Sequence, residues 1–377
     1  MIESPGVPFS ALAFLLVIGP LIFIHEYGHY IVGRWFGVKA ETFSIGFGRE
    51  IFGWTDRRGT RWKVGWMPLG GYVKFKGDMN PASVADPEWL NLPAEERAQT
   101  FQAKPVWQRF LIVFAGPAIN FLFAILIFAG LFAALGQPRT PAVIDAVRQG
   151  SPAAAAGIQP GDRIVSIGGR SVDTFEDVVD FVRIRPDQPL RIELVRGGRP
   201  MTISATARGD LQRDRFGNEF RIGRLGIDAG TPIVKPVPLW RLPAAAVGYT
   251  ATTVRMMVET LGQVIAGRRS VKELGGPFKI AQYSGQQATL GWGPFIIFMA
   301  IVSINLGFIN LLPIPLLDGG HLLFYMIEGV RRKPLKPETQ EWAFRTGLAA
   351  LLALMIFVTF NDLASFGLFR RLGGLIG

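Results

Sequence analysis

The sequence predicts a polytopic α-helical membrane protein of about four spans, with a soluble α+β domain inserted between its halves and a membrane-associated β-hairpin. Three observations carry this expectation. Mean hydropathy is +0.29, and 49% of the 377 residues are hydrophobic against 18% charged, more apolar surface than an ordinary soluble fold can bury. Long apolar runs stand toward both ends of the chain. Between them, over about residues 137 to 292, the pattern shifts to short strand-like and turn-rich stretches.

The first run, Phe9 to Val32, is apolar except at His25, Glu26 and His29. It has no basic residue before it and no small-residue cleavage site after it, so it is expected to remain as a span rather than act as a secretory signal. Phe110 to Leu135 and Gly293 to Leu317 carry no charge at all. Each of these runs exceeds the roughly 20 residues that cross a bilayer as a helix. A fourth run, Thr346 to about Phe369, is interrupted by Asn361 and Asp362 and is still expected to span.

Charge gives the orientation. Residues 34 to 109 hold twelve Lys and Arg and the first ten residues hold none, which places that loop in the cytoplasm. Arg331, Arg332, Lys333 and Lys336 add a second basic cluster on the same side. The inserted domain then faces the outside of the membrane, as do both termini. The formal charge of +11 is explained by topology and by anionic lipid head groups, and no motif for binding nucleic acid is present. With no cysteine, disulfides and thiolate metal sites are excluded.

Inside the cytoplasmic loop, "RWKVGWMPLGGYVKFKGD", Arg61 to Asp78, alternates like strands about Pro68 to Gly71. This is the expected hairpin. Gly71, Tyr72, Val73, Lys74 and Phe75 are its candidate binding edge, one that could take an extended segment as an added strand. The alternative is a surface anchor in which Trp54, Trp62 and Trp66 sit at the membrane interface.

"HEYGH", residues 25 to 29, sets two histidines four residues apart, hence on one face of a helix, with Glu26 beside them. Two neutral imidazoles suit zinc, and the neighbouring carboxylate can take a proton from water. Ionisable groups at membrane depth cost roughly 2.5 kcal/mol or more each unless partnered, which favours a functional site over a chance cluster. A catalytic zinc needs a third protein ligand. The chain has three histidines, so the candidates are His321 or a carboxylate. "NLLPIPLLDGGHLL", Asn310 to Leu323, supplies Asp318 beyond a proline-broken helix. Asp318 can also be read as a helix N-cap, and His321 as a hydrogen-bonding neighbour of the site rather than a ligand.

The inserted domain is expected over residues 136–210. "AVIDAVRQGSPAAAAGIQPGDRIVSIGGRSV" reads as a strand, a short helix capped at Ser151, a turn at Pro160 to Asp162 and a second strand. Thr174 to Val182 reads as a helix, and RIELVR and TISATA as two strands. "GIQPGDRIVSIGGRSV" resembles the PDZ signature, and a PDZ domain takes an extended peptide on its sheet edge or blocks access by its bulk. Residues 211–292 are expected to be a linker with an amphipathic interfacial segment that includes Arg241, Arg255, Arg268 and Arg269. They separate the membrane parts at 1–135 and 293–377.

HEYGH in a first span, NxxPxPxLDG after a third and a domain inserted between spans two and three together resemble the site-2 protease family of intramembrane zinc metalloproteases. The match is closest to its bacterial RseP-type branch. "FSIGFG" (43–48), "GYVKFKGD" (71–78), "FAGPAIN" (114–120) and "GGPFKIAQYSG" (275–285) extend the resemblance over nearly the whole chain. It implies zinc held by His25, His29 and Asp318, Glu26 as catalytic base and Asn310 close to the reacting bond. It also implies cleavage of single-span membrane proteins, anti-sigma factors or signal-peptide remnants, in regulated intramembrane proteolysis at the bacterial inner membrane. The PDZ domain, with a bound peptide or substrate tail as its partner, would lie on the periplasmic side. Many members carry two tandem PDZ domains, and one is evident here. A metal transporter would show repeated half-domains, which the sequence lacks, and an inactive PDZ scaffold would not need Glu26 between two ligands.

Overall fold

The computed structural model describes residues 5–78, 87–213, 219–231, 233–266, 276–333, 335 and 337–365. Arg268, Arg269, Lys336 and the expected end of the fourth span beyond Ser365 lie outside them. The first half forms α1 (Val7–Trp35), the bent strands β1 (Ala40–Thr55) and β2 (Arg61–Phe75), the single turn α2 (Ala94–Arg97) and α3 (Val106–Leu135). There follow β3 (Gln137–Arg139), β4 (Ile144–Val147), α4 (Pro152–Ala155), β5 (Arg163–Ile167), β6 (Arg170–Ser171), α5 (Phe175–Arg183), β7 (Pro189–Arg196) and β8 (Arg199–Thr206). Next, β9 (Arg208–Arg213), β10 (Glu219–Arg224), β11 (Ile227–Ala229) and β12 (Ile233–Lys235) lead into α6 (Leu242–Ile265). The remaining helices are α7 (Pro277–Thr289), α8 (Trp292–Asn310), α9 (Asp318–Arg331) and α10 (Pro337–Ser365). The chain divides into two compact units, one of residues 1–128 and 275–360, the other of 129–274 and 361–377.

In the first unit, α1, α3, α8 and residues 340–360 of α10 are long and apolar enough to cross a membrane. α1 has 29 residues, about 43 Å of helix, against roughly 30 Å of hydrocarbon. Its exposed side chains include Leu12, Leu15 and Leu16, and those of α3 include Leu122 and Leu126. The third apolar helix stops at Asn310 rather than at the expected Leu317. The reason is chemical: Pro313 and Pro315 cannot donate to a helix, so residues 311–317 turn back on themselves through Ile314 N–H to Leu312 O (2.7 Å) and Leu317 N–H to Ile314 O (3.1 Å). Leu316 takes a positive φ of 81°, strain that this reversal forces on a branched residue. α9 then starts at Asp318. A Cβ on Gly319 would stand 2.2 Å from Leu312 O and one on Gly320 2.5 Å from Ile314 O, so only glycine lets α9 press this closely on the turn.

β1 and β2 differ from the expected hairpin. The two halves of β2, on either side of Pro68 to Gly71, do not pair with each other. Each pairs with β1: residues 71–75 flank 40–45 on one side, 61–64 flank 42–45 on the other, and 52–55 then join 61–64. Two bent strands thus lay down four runs in the order 71–75, 42–45, 61–64, 52–55. Gly46 and Gly48, with φ of 82° and 84°, make the bend in β1. Trp62, read as an interfacial anchor, packs inward instead: its ring stacks on Phe43 at 4.3 Å and its Nε1–H donates to Asp56 Oδ2 at 2.9 Å. Trp54 and Trp66 are exposed.

The second unit holds its own core, in which Ile144, Ile164, Ile167, Val178, Leu190, Ile192 and Leu194 meet. The sheet runs β6-β5-β7-β8, and α5 starts with a capping box in which the Thr174 and Asp177 side chains reciprocally bond the backbone. Ser151 caps α4 by accepting from Ala154 N–H. The chain of this domain continues past residue 210. β9 pairs with β10, and β11 pairs with β4, so residues 208–213 and 219–229 belong to the domain rather than to a linker. α6 is likewise fastened, because Glu259 accepts from Arg185 at 2.8 Å and from Arg170. α7, expected in the interfacial segment, packs in the first unit along α1. There a Cβ on Gly285 would lie 2.5 Å from Ser10 Oγ.

Candidate active site

α1 carries His25, Glu26 and His29 into the interior of the first unit, where all three are buried. The i, i+4 spacing turns both imidazoles to one side. His25 Nε2 and His29 Nε2 are 3.3 Å apart. The turn at 311–317 and the start of α9 bring Asp318 Oδ2 to 3.1 Å from His25 Nε2 and 3.5 Å from His29 Nε2. Asp318 is the first residue of α9; Leu317 occupies the cap position, so the carboxylate serves the histidines rather than the helix end.

These three groups fit a metal ion. His29 donates Nδ1–H to Ile112 O at 2.9 Å, which leaves a lone pair on Nε2. Asp318 Oδ2 is buried without a hydrogen bond, a costly condition for a carboxylate oxygen unless a cation satisfies it. Donor atoms about 2.0–2.1 Å from a tetrahedral zinc lie roughly 3.3 Å from one another, and the separations here are 3.1, 3.3 and 3.5 Å. Among the described residues, His25, His29 and Asp318 form the cluster able to hold a metal. Burial pushes His321 down, which favours a neutral ring.

A cavity of about 340 Å³ opens on this cluster and is lined by Glu26, Asn310 and His321 as well as the three. His321 stays outside the trio, with its ring 5.1 Å from that of Phe344. Gly70, Gly71, Tyr72, Val73 and Phe75 form another wall. Gly71 comes so near to the helix that a Cβ there would meet Glu26 Cγ at 2.9 Å. Lys74, expected on the same edge, does not join it: its Nζ pairs with Glu41 Oε2 at 3.2 Å. The sequence carries no signal for much of the apolar wall, Ile22, Phe47, Phe101 and Leu306 included, or for Gly116. A Cβ on Gly116 would lie 2.2 Å from His29 Nε2, so the FAGPAIN stretch leaves space for the ring.

The model of Peptidase family M50 matches residues 13–354. The chain belongs to Peptidase family M50. A protein of Agrobacterium fabrum that carries a zinc-metalloprotease name is 44% identical over 357 residues, covering 93% of this chain and 95% of that one. Metalloprotease MmpA of Caulobacter vibrioides is 36% identical over 387 residues, covering 96% and 97%. The PDZ domain of the SdrC-like protein from Listeria innocua aligns with 25% of this chain and 99% of its own at 20% identity, with a TM-score of 0.20. This M50 peptidase is therefore a zinc metalloprotease, and its long apolar helices make it a membrane protein.

Proposed function

We propose that the peptidase hydrolyses a peptide bond within or beside the transmembrane segment of single-span membrane proteins, with His25, His29 and Asp318 as its zinc ligands. The observation that carries this reading is the convergence of two imidazole nitrogens and one carboxylate oxygen inside an apolar helical unit. Zinc held there supplies Lewis acidity toward the scissile carbonyl and the attacking water. Glu26, on the same cavity wall, accepts the water proton as the oxygen bonds to the carbonyl carbon, and delivers it to the amine as the C–N bond breaks. Asn310, at the end of α8, faces the cavity and holds the substrate carbonyl by its amide.

The run 71–75 is proposed to receive the unwound substrate as an added strand. Lys76 N–H bonds Lys39 O, while Phe75 N–H turns to Asp78 Oδ2. By strand alternation the amides of residues 72 and 74 then face β1, and that of Val73 faces the edge β1 leaves unpaired. The basic loop of residues 34–109 supports a cytoplasmic position for this sheet, with the α+β domain, read as a PDZ domain, on the periplasmic side of the bacterial inner membrane. Anti-sigma factors or signal-peptide remnants are the substrate class the resemblance supports, within regulated intramembrane proteolysis.

The test is metal content together with cleavage of a model single-span substrate by purified protein. Glu26→Gln keeps its zinc and loses roughly 10²-fold or more of its rate, since the amide cannot accept the proton. His25→Ala, His29→Ala and Asp318→Ala lose both zinc and activity. His321→Ala retains most of its zinc. Near-normal cleavage by Glu26→Gln overturns the general-base role, and zinc lost from His321→Ala but kept by Asp318→Ala moves the third ligand.

A further inference from the structure

The Asn of the FAGPAIN stretch is fully buried on α3 and touches a histidine 95 residues away: the Asn120 side-chain amide lies 3.0 Å from His25 Nδ1. Its other amide atom, Oδ1, is buried without a partner. One turn apart along α3, Ile112, Gly116 and Asn120 all face the histidine pair. Ile112 accepts from His29 Nδ1–H, Gly116 leaves room for the His29 ring, and Asn120 meets His25. A third helix meets Asn120 at its backbone, where Ser303 Oγ–H on α8 donates to its carbonyl at 2.9 Å.

The amide can present either end to His25, and the two ends dictate opposite tautomers. If the NH₂ donates to Nδ1, the ring proton sits on Nε2 and points at Asp318 Oδ2, which leaves no lone pair for a metal. If the carbonyl oxygen accepts Nδ1–H, Nε2 carries the lone pair, and His25 takes the same tautomer as His29. Turning the amide only exchanges which of its two atoms lacks a partner.

We infer that Asn120 is a positioning residue whose side-chain carbonyl accepts the Nδ1–H of His25 and so aims the Nε2 lone pair at the metal position. The inference rests on the reading of His25 as a zinc ligand. α3 therefore acts on both histidines, through a backbone carbonyl for one and a side-chain carbonyl for the other.

The experiment compares Asn120→Leu, Asn120→Asp, His25→Ala and Ser303→Ala as full-length protein in detergent. It measures zinc retention against a competing chelator and the visible spectrum of the cobalt-substituted protein. Asn120→Leu keeps the shape without an acceptor and is expected to weaken zinc binding about 10–100-fold and to alter the cobalt bands. Asn120→Asp can accept but not donate, and is expected to hold zinc at least as tightly as the wild type with its cobalt bands preserved. Ser303→Ala is expected to stay close to wild type, as it leaves the Asn120 side chain in place.

Wild-type zinc affinity in Asn120→Leu overturns the inference, and so does loss of zinc from Asn120→Asp, which would make the amide a donor. Should Asn120→Leu fail to fold, Asn120→Asp decides alone. Zinc kept by His25→Ala would overturn the ligand assignment itself, an outcome distinct from either.

Discussion

Gly116 shows how little space the metal cluster allows. Its missing Cβ would overlap His29 Nε2, and the ring cannot rotate away without giving up the bond from Nδ1 to Ile112 O. Gly116→Ala is therefore expected to displace His29 and lower zinc occupancy severalfold while the protein still inserts and folds, as checked by metal analysis beside circular dichroism. The histidine pair was legible in the sequence because its spacing is local: four residues in a helix fix a shared face whatever surrounds them. Asp318 was legible only in part, as one of two candidates, until the resemblance singled it out. Asn120 was quoted without a role, since nothing within a turn of it says which of two amide ends matters, and its partner stands on another helix.

At the scale of elements, the sheet beside Glu26 is where the sequence misled most. Alternation in Arg61 to Asp78 was visible, but its partner, β1, is bent at Gly46 and Gly48 and does not read as one strand. Strands β9 to β11 escaped notice because "RGDLQR" and "EFRIGR" are short and charged. Val73→Pro tests the edge. Proline there removes an outward amide that β1 does not use, so zinc content is expected to hold while cleavage drops. A substrate with Gly or Pro near the cut is expected to lose less than one with Leu there, since it leaves the helix more readily. Equal cleavage of both by both enzymes would leave the sheet as a membrane anchor.

In the α+β domain, Asp162 is wholly buried and accepts from Arg196 Nε and Nη2, both at 2.7 Å, and from Gln159 N–H at 2.8 Å. The bonds from Arg196 hold its carboxyl below the usual range. A group lowered on folding stabilises above its unfolded value, about 3.9, and that contribution fades as pH falls through the folded value. Asp162→Asn is expected to cost about 1–3 kcal/mol at pH 7 and to flatten the acid limb of a melting-temperature profile.

Across the whole molecule, the two units carry separate cores, and the candidate metal cluster belongs to one of them. Chelation is therefore expected to lower one thermal transition and leave the other unmoved, with zinc restoring the first. Zinc at a hundred times its dissociation constant contributes about 2.7 kcal/mol. A single transition that shifts as a block would show the units to be coupled.

The same distribution of groups has a bearing on synthesis. His25 and His29 emerge early, while Asp318 follows roughly 290 residues later, after the whole α+β domain. At about 5–20 residues per second a ribosome needs roughly 15–60 s to cover that interval. Through that interval the nascent chain carries two of the three groups, and the candidate metal cluster is complete only after the α+β domain has been made.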